Sequence, residues 1–152
     1  MNAGPVDAAN SAHPPRGLVA RLSRIRWIRA VALSPVIARP GYWFATAVAA
    51  VWGCLLGWFH VRRESGLIVA SRLPHWAFGR GGTTIGAVYL TRDNDSPSVL
   101  EHEAVHRAQW RTYGLAFIPL YVAAGSNALT NRFEIEAGLQ KGGYIRLLHE
   151  RS

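Results

Sequence analysis

Cysteine is almost missing from this chain of 152 residues: Cys54 stands alone. One thiol excludes an intramolecular disulfide framework, a cysteine-rich zinc knuckle and an iron–sulfur cluster held by several cysteines. Any metal must therefore be held by histidine and carboxylate. A chain without disulfides fits either side of a membrane, so the compartment stays open. Charge is also scarce. Charged residues make up 17% of the chain against 49% apolar, enough apolar content for a core. Acidic residues number only nine against 17 basic ones, and sixteen of those are arginine. The resulting +8 suits nucleic acid, an anionic membrane surface or an acidic substrate, and serves solubility equally well. The length fits one domain plus an appendage, and no internal repeat is present.

The chain divides into three stretches. Residues 1–40 form a basic, partly disordered segment that opens with small, polar and proline-containing sequence. Arg16, Arg21, Arg24, Arg26, Arg29 and Arg39 then fall among Leu, Val, Ile and Trp, as in a juxtamembrane segment or surface helix. Residues 41–60 read as an apolar helix. Positions 42–59 carry no charge, with Arg39 before them, Arg62 and Arg63 after, and aromatic residues at both ends. That pattern meets the description of a single membrane anchor at its lower length limit, and a helix buried in the domain is the alternative. The anchor reading implies membrane association; the buried-helix reading leaves the chain cytoplasmic.

Residues 61–152 read as a minimal α+β domain. Residues 66–71 and 87–91 are strand candidates, joined through a glycine-rich link at 79–86. A turn cluster at 92–98 hands over to a helix with Ser96 as N-cap and Pro97 at its first position, ending at Gly114. Residues 114–125 contain Pro119 and read as a kinked core helix. A last helix is expected from Asn131 to Gly142–Gly143.

The sequence HEAVH at 102–106 lies inside the capped helix. Positions i and i+4 sit one turn apart on one face, so His102 and His106 can converge on a single ion. Glu103, one residue round, can act on water beside that ion as general base without ligating it. Zinc needs a third protein ligand. Glu101 points away from the histidine pair and His149 is close to the terminus, which leaves Glu134 and Glu136 in NRFEIEAG. Asn131 and Glu134 also stand at capping-box spacing, a role that competes for the same carboxylate.

These residues resemble the gluzincins, zinc metallopeptidases in which a glutamate on a later helix completes the HExxH site. The small bacterial minigluzincin-like members are the most similar. They are marked by HExxHxxQ, here His102, Glu103, His106 and Gln109, and by Asn-x-Phe-Glu-x-Glu-Ala, here Asn131, Phe133, Glu134, Glu136 and Ala137. The resemblance covers about residues 66–145 and implies a zincin-like domain with one Zn²⁺ per chain. It makes Glu134 the third ligand and Glu103 the catalytic base, with Glu136 as alternative ligand. Peptide or protein would be the substrate, laid along the strand at 87–91. Gly138 stands where related gluzincins carry an aspartate, so the outer support of a ligating histidine must come from elsewhere. Tyr113, Tyr121 and Tyr144 are the candidate transition-state donors, whereas Trp110 and Arg111 read as structural. Two other functions remain: a catalytically silent zincin-like scaffold at a membrane, and a basic nucleic-acid-binding protein using the arginine-rich N-terminus.

Overall fold

The computed structural model describes residues 34–77 and 81–145. The expectations for residues 1–33 and for His149 lie outside the described residues. The fold is α+β, with a small four-stranded sheet between helices.

Helix α1 (Pro35–Leu56) begins with proline at its first turn, where the missing N–H goes unused. Its small residues fall on one side. Ala38, Gly41, Ala45, Thr46, Ala49 and Gly53 are buried together with Tyr42, at helical spacing. This stripe lets the helix backbone approach the sheet closely: a Cβ on Gly53 would stand 2.8 Å from Ala70 Cβ and from Leu90 Cδ2. Thr46 Oγ1 donates to Tyr42 O and accepts the N–H of Ala87 at 3.0 Å, tying α1 to the turn before the last strand. The expected apolar helix is therefore present, but as part of the core. Among the described residues no helix is long and apolar enough to cross a membrane, and the packed face of α1 matches the buried-helix alternative for 42–59.

The sheet comprises β1 (Val61–Glu64), β2 (Leu67–Ala70), β3 (Gly82–Ile85) and β4 (Val88–Thr91), in the order β1-β2-β4-β3. The β1–β2 and β3–β4 pairs are antiparallel, and β2 runs parallel to β4. Alternation assigns the faces. Ala70, Val88 and Leu90 pack with Ala49 towards α1, with Ile68 against the same cluster. Leu67, Val69 and Tyr89 pack with Val99 and Leu100 of α2 (Pro97–Tyr113). Strands β2 and β4 match the expected pair. The glycine-rich link holds a strand of its own, β3, and the expected substrate strand, β4, is interior. The sheet edge beside α2 is β3, which pairs with no described strand on its outer side.

Helix α2 runs from N-cap Ser96 to Gly114, as its capping signals predict. A 3₁₀ turn (Gly114–Ala116) leads into α3 (Phe117–Ala123). Pro119 lies in the first turn of α3, where it costs no internal hydrogen bond, so no kinked core helix forms. Only Phe117 of α3 is buried; Ile118 and Val122 are exposed. Helix α4 (Arg132–Ala137) is a short piece. It stops at Ala137, short of the expected glycine pair, because Gly138, at φ +95°, takes the left-handed region there.

Candidate metal centre

The inner face of α2 carries His102, Glu103, His106, Gln109 and Trp110, all buried. Helix α4 brings Glu134 against them. Asn131 sets that helix in place. Its Oδ1 accepts the N–H of Phe133, and its Nδ2 donates to Tyr121 O and Gly125 O. The N–H of Asn131 is already bonded to Asn127 O, so the cap does not need the Glu134 carboxylate. The competition expected from the capping-box spacing is absent, and Glu134 is left to the site.

Three side chains meet there. The Nε2 atoms of His102 and His106 are 3.0 Å apart. His102 Nε2 lies 3.2 Å from Glu134 Oε2, and His106 Nε2 lies 3.4 Å from Oε1. One ligand atom from each residue falls within 4.8 Å of the others. The outer ring nitrogens define the tautomers. His102 Nδ1 faces Gly138 O at 3.1 Å, and His106 Nδ1 faces Gln109 Oε1 at 2.8 Å. A carbonyl oxygen can only accept, so each Nδ1 carries its hydrogen. The orientation of the Gln109 amide is fixed as well, because its nitrogen donates to Phe133 O and to Glu136 Oε2. With the hydrogen on Nδ1, each neutral ring would turn its Nε2 lone pair towards the other ring and towards a carboxylate. Lone pairs so placed repel unless a proton or a cation sits between them.

The surrounding charges agree. Burial favours the neutral carboxyl of Glu134, yet the adjoining His102 and His106 rings and the hydrogen bond from Tyr121 hold it well below the ordinary carboxylate range. Burial would lower His106, but Glu134 and the nearby Glu103 outweigh it and raise the imidazole above its usual value. Glu134 Oε2 is buried and has no hydrogen-bond partner. An orphaned buried carboxylate oxygen beside two imidazole lone pairs is a cation-binding arrangement. Two nitrogens and one carboxylate are the donor set zinc accepts in catalytic sites. The residues fit the ion.

Glu103 stands beside this cluster, outside it. Its Oε2 accepts from Thr84 Oγ1 on β3 at 2.8 Å, and burial raises its carboxyl above the ordinary value. Trp110 Nε1 donates to Thr84 O at 2.8 Å, so one residue of the edge strand is tied to α2 twice. These groups line a cleft of about 370 Å³ whose walls include β3, Phe117, Ile118 and Val122. Of the three candidate tyrosines, Tyr121 donates to Glu134 Oε1. Tyr144 lines the cleft with its ring centroid 6.0 Å from that of His102. Burial and the Glu134 charge push its phenol up to about 12. Tyr113 stacks on Phe117, outside the cleft.

Glu136, the alternative ligand, is not brought to the ring nitrogens; it is exposed and fixes Gln109 instead. Glu101 points away as expected and pairs with Lys141 at 2.7 Å. Thr84 and the Gly138 carbonyl are the participants that sequence reasoning missed. The carbonyl does for His102 what the absent aspartate would do, so the departure at position 138 leaves that ring supported. Gln109→Leu is expected to lower metal-ion affinity about 10–100-fold, the usual cost of losing an orienting partner. A competition titration against a chromophoric chelator reads this directly, and unchanged affinity would remove Gln109 from the centre. No family model, no curated protein and no solved structure matches the chain.

Proposed function

We propose that the chain is a zinc-dependent peptidase built on a minimal zincin-like domain. The observation that carries this reading is the convergence of two imidazole Nε2 atoms on a buried glutamate with an orphaned oxygen, beside a second glutamate outside the cluster. His102, His106 and Glu134 would hold the ion. Zinc held there supplies Lewis acidity, acidifying water towards neutral pH and polarising a carbonyl oxygen.

The remaining steps belong to the chain's own groups. Glu103, tethered through Oε2 to Thr84, takes the proton of the attacking water and returns it to the leaving amine. Its position one residue round from the histidines keeps it out of the ligand set. The outer edge of β3, unpaired among the described residues, offers backbone N–H and C=O groups to an extended peptide, which favours a polypeptide substrate over a compact one. Tyr144 keeps its proton until about pH 12 and is the O–H available to a developing oxyanion. The Gly138 carbonyl gives His102 an outer partner without an aspartate at that position, which favours a working centre over a silent scaffold.

Purified full-length chain is expected to contain one equivalent of zinc and to cleave an unstructured peptide. Activity should disappear with a chelator and return with added zinc. A chain that binds no zinc supplied in excess would end this proposal, as would a zinc-loaded chain inert towards every peptide in a diverse library.

A further inference from the structure

The outer face of α1 has a role that the metal centre does not use. Opposite its packed stripe the helix exposes Trp43, Phe44, Val48, Val51, Trp52 and Leu55, each at least 47% accessible. Immediately after it come Trp58 and Phe59, at 81% and 75%. Both have positive φ, +49° and +63°, a conformation that bulky residues adopt at a cost. The chain thus holds two aromatic rings out into solvent in a strained backbone. A contiguous apolar surface of this kind marks an interaction site on a globular domain.

Charge selects the partner. Residues 8–63 hold eight arginines and no acidic residue, so the whole formal +8 of the chain resides there. Two of these arginines flank the face. Arg39 is exposed and lies one turn before Trp43. Arg63 pairs with Ile68 in the sheet register, and Ile68 packs on the α1 side, so Arg63 belongs to that side too. Neither forms an ion pair among the described residues. A second copy of the chain would bring its own arginines against these. A nucleic acid would leave the valines and leucine in water. An anionic lipid surface satisfies both the apolar strip and its basic ends, with tryptophan at the depth where its amphipathic ring is stable.

We infer that α1 is an in-plane membrane-docking helix, its outer face lying in the headgroup region of an anionic bilayer and its inner face kept in the domain core. The inference is independent of the peptidase reading. It requires a helix lying parallel to the membrane, since the packed stripe cannot also face lipid.

The test uses the full-length chain and sedimentation with vesicles of phosphatidylcholine alone or mixed with phosphatidylserine. Binding is expected to the mixed vesicles, to weaken at high salt, and to shift tryptophan emission to the blue. Val51→Asp with Leu55→Asp, both at exposed positions, should reduce binding at least tenfold with an unchanged melting temperature. Arg63→Glu should lose the preference for phosphatidylserine. Lipids brominated near the headgroup should quench the tryptophans more than lipids brominated at the chain end, and the reverse would overturn the in-plane geometry. Several results would overturn the inference itself. They are failure to bind either vesicle, a lipid-free dimer broken by the aspartate pair, or binding to single-stranded nucleic acid that the same pair abolishes.

Discussion

Glu103→Gln is expected to keep zinc at wild-type stoichiometry while kcat for an unstructured peptide falls about 10²–10⁴-fold, the usual range for a lost general base. That loss corresponds to about 2.7–5.5 kcal/mol of transition-state stabilisation. The separation of the two readouts follows from position. The ring nitrogens and Glu134 form the cluster, and Glu103 is not among its three members. Glutamine preserves the side-chain shape, and its amide oxygen can still accept from Thr84 Oγ1, so α2 and β3 keep their tie. What it cannot do is take a proton. Because the deficit lies in the chemical step, kcat should fall with little change in KM. Metal analysis and steady-state kinetics on the same preparation check both halves. Equal turnover by the variant would transfer support to a silent scaffold, and loss of zinc would place Glu103 in the ligand set.

The parts of this fold that the sequence revealed are those encoded in side chains at fixed spacing. Ser96, Pro97 and Gly114 bracket α2 because capping is a local interaction, and His102 and His106 share a face because four residues make about one turn. The strands β2 and β4 are short apolar runs and were legible as such. Strands β1 and β3 were not. Every residue of β1 is exposed, and β3 is a Gly-Thr-Thr-Ile edge whose pairing depends on β4 alone. The same limit hid the true edge beside the cleft, since strand order depends on tertiary pairing. Helix α1 shows a different limit. Its charge-free run was visible, but mean hydropathy does not separate a helix apolar all round from one with a small-residue face packed on a sheet. The spacing of Ala38, Tyr42, Ala45, Ala49 and Gly53 carried that distinction. Gly138 marks where side-chain reasoning stops. Its contribution to His102 is a backbone carbonyl, which any residue possesses and no sequence motif records.

Glu134 and Glu136 give the sharpest separation of like residues. They are two positions apart on α4, which puts them about 200° apart round an ideal helix. Glu134 is buried at 2% accessibility between the two Nε2 atoms, whereas Glu136 is exposed and receives one hydrogen bond from Gln109. Glu134→Gln removes the negative charge and replaces one ligand oxygen with an NH₂ group. Zinc affinity is expected to fall more than about 100-fold, beyond the cost of losing an orienting partner, and activity should fall with it. The metal-free variant should be less stable than wild type, because the neighbours that hold the Glu134 carboxyl low stabilise its charge in the folded chain. Glu136→Gln should change zinc affinity only a few-fold, since glutamine still offers Gln109 an acceptor oxygen. Chelator competition and thermal melting, each with and without zinc, supply both readouts. A variant series in which zinc follows Glu136 would move the ligand two residues along α4. Equal affinity in both variants would leave the ion with His102 and His106 as its only ligands from the chain, a pair too few for tight binding.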